Sequence, residues 1–169
     1  TFRSLYLFEP IVFPPVVSAL SASGSNPLAE GARRRRPVFD SYAAAYDNYH
    51  GKPPFSVLHP DALRAYVDFG FSLQTDGTVR LKCRPEVEAE VFTMGGRNGA
   101  WDHLAEVTCP VTVAVGAEHP GTPATFGEPI VGQLPHGRLE RHPDLGHFGP
   151  LEDPASIAAC IRAAFRDTW

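Results

Sequence analysis

The stretch Asp144-Leu145-Gly146-His147-Phe148-Gly149-Pro150-Leu151-Glu152-Asp153-Pro154 lies near the C-terminal end of the chain and determines how the rest is interpreted. A glycine just before His147 lets the backbone turn sharply. Asp153-Pro154 is a usual opening of an α-helix, because aspartate caps the first turn and proline fits its first position. Apolar residues then recur at helical spacing. The stretch therefore predicts a histidine-bearing loop that leads into an amphipathic helix over residues 153–166.

Segments upstream of this loop have the composition of core strands. The run Ser4–Phe8 is almost continuously apolar, and Cys109–Gly116 is β-branched, apolar and bounded by proline and glycine, as buried parallel strands usually are. A helix is predicted over 125–134, with Pro129 leaving only its second half regular, and a short strand over 138–142. Strands that alternate with helices in this order predict the α/β fold class, with parallel core strands flanked by helices.

The segment between the first two strands is long and mostly helical by pattern. Asp76-Gly77 is typical of a tight turn and predicts a hairpin between residues 70–73 and 79–82. The chain therefore divides into a core strand and connector (1–17), a mostly helical insertion (18–104) and a C-terminal core (105–169). Helices in the insertion are predicted from Pro27, over 38–50, over 60–70 and from Pro85.

Composition excludes several classes of partner. The chain has 169 residues, 43% of them hydrophobic, and a formal charge of −4, which gives no general attraction to nucleic acid or to anionic membranes. We interpret the arginines at 33–36 as a solvated helix face. No apolar run approaches the roughly 20 residues of a membrane helix, and no leader resembles a signal peptide. Three widely spaced cysteines indicate free thiols, so we expect a cytoplasmic protein.

The element order and the Gly146-His147 loop resemble the C-terminal part of the α/β-hydrolase superfamily. In that superfamily the nucleophile, the acid and the histidine follow in this order along the chain, which fits the late position of His147. The resemblance implies that His147 acts as general base and then general acid, and that residues 18–104 form a lid. Because a strand begins almost at Thr1 and the one methionine is Met94, we expect the N-terminal half of the fold to be missing.

Two residues are candidates for the carboxylate that orients the histidine. Glu118 follows the strand over 109–116, which is the commoner site in the superfamily. The loop there has His119 where aspartate is expected, and this departure favours Glu9, which closes the first strand. A minority of families in the superfamily place the acid at that position. The sequence does not decide whether Glu9 or Glu118 is this carboxylate.

The nucleophile is not found in the sequence. Gly70-Phe71-Ser72-Leu73-Gln74 lacks the last glycine of the G-x-S-x-G elbow and follows a predicted helix instead of a strand. We therefore expect the protein to hydrolyse small hydrophobic esters or related acyl compounds through a nucleophile outside this chain, so that the chain alone is inactive. The alternatives are an aspartate nucleophile, as in epoxide hydrolases and dehalogenases, or a non-catalytic binding module. The histidines have no metal-binding spacing, and we expect no metal and no cofactor.

Overall fold

A computed structural model describes residues 2–17 and 26–166 of the chain. These residues form two compact units. The core unit comprises Thr1–Ala22 and Gly96–Trp169, and the insertion unit comprises Ser23–Gly95. The predicted boundary at residue 18 lies outside the described residues, and the predicted division of the chain into three parts (1–17, 18–104 and 105–169) stays a prediction.

Strands and helices alternate in the core unit much as the sequence indicates. The strands within the described residues are β1 (Leu5–Phe8), β2 (Val38–Phe39), β3 (Phe71–Leu73), β4 (Val79–Leu81), β5 (Val111–Val115) and β6 (Gly137–Arg141). The α-helices are α1 (Pro27–Arg33), α2 (Tyr42–His50), α3 (Pro60–Gly70), α4 (Pro85–Met94), α5 (Gly127–Val131), α6 (Gly149–Glu152) and α7 (Pro154–Arg166). Residues 15–17 are also helical, and 3₁₀ turns occupy Phe55–Val57, Gly95–Arg97, Ala100–Glu106 and Pro123–Phe126.

The core sheet has the order β1-β5-β6 with every pair parallel, which confirms the α/β class. The central strand, β5, is buried along its whole length, as expected of a parallel strand covered on both faces. Its residues Val111 and Val113 pack with Leu104, Ile130 and Leu134 in one apolar cluster. Because all three strands run the same way, their carboxyl ends lie along one edge of the sheet.

Helix α7 begins where the sequence chemistry predicts, whereas the helix before β6 is shorter than predicted. The carboxylate of Asp153 accepts a hydrogen bond of 3.0 Å from the Ser156 N–H at the start of α7, and Ile157 of that helix is buried. The helix predicted over 125–134 is regular only as α5, after a 3₁₀ turn. Pro129 fits there because it is the third residue of α5, where a backbone N–H has no partner within the helix.

The insertion unit combines helices with a small antiparallel sheet of order β2-β4-β3. The predicted hairpin is confirmed: β3 pairs with β4, and the Asp76 carboxylate accepts from the Thr78 N–H at 3.0 Å. The prediction of a helix over 38–50 is wrong for its first residues. Val38–Phe39 forms strand β2, which pairs with β4. Helix α2 begins after Ser41, whose hydroxyl oxygen accepts from the backbone N–H of Ala44.

One of the four arginines at 33–36 does not lie on a solvated face. The guanidinium of Arg35 donates to the Glu88 carboxylate at 2.5 Å and to the hydroxyls of Tyr66 and Tyr49 at 2.6 and 2.9 Å. Burial acts to lower the pKa of Arg35, but these hydrogen bonds outweigh it and raise the pKa. Arg35 is therefore largely covered by partners within the insertion unit, while the other three arginines are exposed. None of the helices in the described ranges is both long enough and apolar enough to cross a membrane.

Candidate active site

The loop that carries His147 is held against the end of the central strand. The His142 N–H donates to the Val115 carbonyl at 2.8 Å, and the Ala117 N–H donates to the Leu145 carbonyl at 2.7 Å. These bonds join the loop after β6 to the last residue of β5 and to the loop that follows it. His147 thus lies at the carboxyl edge of the sheet, where ligands bind in open α/β folds.

Gly116 lets the two loops approach this closely. A Cβ atom at this position would lie 2.6 Å from the carbonyl oxygens of both Leu145 and Gly146. Both neighbours are backbone atoms and cannot rotate away. The residue after β5 must therefore be glycine, because any side chain there would overlap the backbone of the histidine loop.

The structure brings Glu9 and His147 together. Glu9 directly follows β1, and its carboxylate Oε2 lies 2.6 Å from Nδ1 of His147. Its other oxygen, Oε1, accepts a hydrogen bond of 2.9 Å from the Gly116 N–H. The Glu9 side chain is 1% exposed, whereas that of His147 is 44% exposed. The carboxylate is thus buried behind an imidazole that solvent can reach.

This contact fixes the tautomer of a neutral His147. An ionised carboxylate only accepts hydrogen bonds, so the proton of the imidazole resides on Nδ1 and Nε2 carries the lone pair. A histidine held in this way can take a proton from a nucleophile at Nε2, and the carboxylate stabilises the imidazolium that forms. Among the described residues no buried side-chain nitrogen or oxygen lacks a hydrogen-bond partner, which includes the carboxylate of Glu9.

The backbone of Glu9 adopts an unusual conformation. Its φ angle is +42°, and within residues 2–17 and 26–166 it is the one non-glycine residue with positive φ. A backbone in this region costs of order 1–3 kcal/mol and is found mainly at functional sites. The Glu9 N–H donates to the Ala114 carbonyl at 2.8 Å, which ties this bend to the central strand.

Glu118, the other candidate acid, lies elsewhere. Its side chain is half exposed and its carboxylate pairs with Nε of Arg141 at 3.5 Å. Arg141 also bonds the carboxylate of Glu128, so these three side chains form an exposed ion-pair group. The structure does not place Glu118 against His147.

Glu152 is a residue for which sequence analysis assigned no role. Its Oε2 accepts a hydrogen bond of 2.8 Å from the Gly146 N–H, and its Oε1 accepts one of 3.1 Å from the Phe148 N–H. These two donors flank His147 in sequence. The acidic residue five positions after the histidine was visible in the sequence, but its contact with the loop depends on the short helix α6.

A second polar cluster, formed by Tyr6, Glu140, His142 and Cys160, contains the residue types that bind zinc. Donor atoms of the last three lie within 4.8 Å of one another. The Tyr6 hydroxyl donates to the Glu140 carboxylate at 2.6 Å. Burial, followed by the nearby Glu140, raises the pKa of both the Tyr6 phenol and the Cys160 thiol. The expected absence of a metal stays a prediction.

The serine tested as a nucleophile is not at an elbow. Ser72 lies within β3, between Phe71 and Leu73 of the hairpin in the insertion unit. A nucleophile elbow needs a sharp turn between a strand and a helix. The geometry at Ser72 therefore agrees with the sequence in rejecting it.

Comparison with known proteins identifies the fold. No protein-family model matches the chain, and no curated protein matches it. The chain is similar to the solved structures of the peroxisomal α/β-hydrolase Lpx1 from Saccharomyces cerevisiae (18% identity, TM-score 0.80), of E-2-(acetamidomethylene)succinate hydrolase (17%, 0.72) and of a thermophilic esterase from Thermogutta terrifontis (22%, 0.57).

The three similarities cover 98%, 96% and 98% of this chain, but 46%, 57% and 56% of the respective structures. The chain thus spans about half the length of the structures it matches. At these identities the likeness concerns the fold alone. The chain has the C-terminal part of the α/β-hydrolase fold.

Proposed function

We propose that this chain carries the histidine and the acid of the catalytic triad of an α/β-fold hydrolase. His147 acts as general base toward the nucleophile and then as general acid toward the leaving group. Glu9, and not Glu118, is the acid that orients the imidazole. The observation that carries this proposal is the 2.6 Å contact between Nδ1 of His147 and the buried Glu9 carboxylate.

The nucleophile in this proposal belongs to the N-terminal half of the same fold, outside these residues. The similar structures are about twice as long as the chain, which supports such a division. Since a triad without its nucleophile loses most of its rate enhancement, the chain alone is expected to hydrolyse nothing measurable.

The free state of all three cysteines supports a reducing compartment such as the cytoplasm.

The substrate class proposed is a small hydrophobic ester or a related acyl compound. An esterase and a thioesterase domain are among the structures with this fold. The half-exposed imidazole of His147 suits acyl transfer, in which the base must reach both a nucleophile and a leaving group. The same pair would equally serve an aspartate nucleophile, so the residue at the elbow decides the chemistry.

The test is hydrolysis of short p-nitrophenyl esters by the protein that includes the region encoded upstream of Thr1. That region is expected to contain a strand followed by G-x-S-x-G. His147→Ala should lower kcat by about 10⁶-fold, as loss of a triad histidine does elsewhere. The control is His136→Ala, because that side chain is exposed in the turn before β6.

One result would change the proposed substrate class, and two would contradict the proposal. An aspartate at the elbow would replace ester hydrolysis with epoxide or carbon–halogen chemistry. A complete gene without any elbow would leave a binding module with hydrolase topology. Equal ester hydrolysis by the two histidine variants would show that His147 takes no part in the reaction.

A further inference from the structure

One carboxylate bonds the backbone on both sides of His147. Glu152 accepts hydrogen bonds from the N–H groups of Gly146 and Phe148, the residues immediately before and after the histidine. Fixing the amides on both sides restricts the φ and ψ angles of His147 itself. The direction of the Cα–Cβ bond, and with it the path of the imidazole toward Glu9, then depends on Glu152 together with the backbone bonds of the loop.

Glu152 is itself held by the short helix that follows the loop. Its own N–H donates to the Phe148 carbonyl at 2.9 Å, and the Gly149 N–H donates to the Gly146 carbonyl at 3.0 Å. The side chain and the backbone of Glu152 therefore both bond to the same loop. The result is a closed hydrogen-bonded ring, from residue 146 to residue 152, with His147 inside it.

Two glycines allow this ring to form where it does. A Cβ atom on Gly146 would lie 2.8 Å from Oε1 of Glu152, so a side chain there would displace the carboxylate. A Cβ atom on Gly149 would overlap the aromatic ring of Phe8, the residue next to Glu9. The ring therefore packs against the end of β1, where the acid of the pair is located.

We propose that Glu152 is a positioning residue that holds His147 in the orientation in which Nδ1 faces Glu9. This inference rests on the proposed function only for the role of His147 in catalysis. A simpler role for Glu152 would be general stabilisation of the loop and of α6. The two roles differ in what the imidazole does when Glu152 is changed and the chain stays folded.

The test is NMR spectroscopy, at neutral pH, of the ¹⁵N-labelled protein that includes the region encoded upstream of Thr1. The unmodified chain should show a downfield Nδ1–H resonance of His147, and ring nitrogen shifts of the Nδ1-protonated tautomer. Glu152→Ala removes both acceptors and should abolish the resonance and mix the tautomers. Glu152→Gln keeps one acceptor oxygen and the side-chain shape, so it should give a weakened resonance. Backbone amide spectra report whether each variant is folded.

The matched control is Asp144→Asn, which removes an exposed carboxylate from the same loop. It should leave the His147 resonance unchanged. A folded Glu152→Ala chain with an unchanged resonance and tautomer would overturn the proposal. Equal loss in Asp144→Asn would also overturn it, because the effect would then be one of general charge. Absence of the resonance in the unmodified chain would remove the contact on which both proposals rest.

A kinetic readout separates this inference from the proposed function. In the protein that includes the nucleophile, Glu152→Gln should lower kcat by about 10²-fold with KM unchanged, since small misplacement of a catalytic group has that effect. If His147→Ala has no effect on hydrolysis, the proposed function fails, while the NMR result still shows whether Glu152 orients His147. If His147→Ala is inactive and Glu152→Gln is fully active, the inference alone fails.

Discussion

The Glu9 carboxylate lies 2.6 Å from Nδ1 of His147, although 138 positions separate the two residues in the chain. They meet because β1 and β6 both run parallel to β5, so the chain leaves each strand at the same edge of the sheet. The end of β5 lies between them, and its Gly116 N–H bonds the second oxygen of Glu9. The pair is thus assembled by the three-stranded sheet and not by any local sequence motif.

Gly116→Ala should destabilise the core unit. The added Cβ would lie 2.6 Å from two backbone carbonyl oxygens of the histidine loop, so the loop must shift. Overpacking of this kind typically costs about 1–3 kcal/mol, and we expect the free energy of unfolding in urea to fall by this amount.

The control for that change is Gly132→Ala. The nearest atoms to a Cβ there are backbone oxygens at 3.5 Å, an ordinary contact. Its φ of −62° suits alanine. An equal loss of stability in both variants would contradict the tight contact assigned to Gly116.

Glu140 should stabilise the fold at neutral pH and lose this effect in acid. Burial alone would raise the pKa of its carboxyl group, but hydrogen bonds from Tyr6 and His142 outweigh burial and lower the pKa. The carboxylate of Glu140 therefore binds a proton more tightly in the unfolded chain than in the folded chain. Its contribution to the free energy of unfolding is present at neutral pH and is lost as the pH falls through the folded-state pKa.

The measurement for Glu140 is the free energy of unfolding of Glu140→Gln and of the unmodified chain as a function of pH. The difference between them should be largest near neutrality and shrink in acid. Glu106→Gln is the control, because its exposed pair with His103 should contribute little at any pH. A difference that grows as the pH falls would contradict the hydrogen bonds assigned to Glu140.

The sequence predicted those parts of the fold that depend on local chemistry. The strands β1 and β5 follow from apolar runs with proline and glycine boundaries, β6 was predicted as a short strand after a turn, and the start of α7 follows from Asp153-Pro154. The histidine of the site was visible because glycine, histidine and a helix cap occur together. Local sequence patterns could not decide whether Glu9 or Glu118 contacts His147. That contact depends on the register of strands that are far apart in the sequence.

The two wrong predictions, for Val38–Phe39 and for Arg35, also concern contacts between residues far apart in the sequence. Val38–Phe39 was assigned to a helix because aromatic residues continue at helical spacing, but pairing with β4, about forty residues later, places it in a sheet. Ser41, a good helix cap, was the local signal that could have corrected the boundary. Arg35 was grouped with its exposed neighbours because its partner Glu88 is 53 positions away.

The most direct measurement of the central claim compares Glu9→Gln with Glu118→Gln in the protein that includes the nucleophile. Both substitutions remove one carboxylate at the end of a core strand. Glu9→Gln should lower kcat for ester hydrolysis by about 10⁴-fold, as loss of a triad acid does elsewhere, and Glu118→Gln should leave kcat unchanged. Loss of activity in Glu118→Gln with a fully active Glu9→Gln would contradict the assignment of Glu9 as the partner of His147.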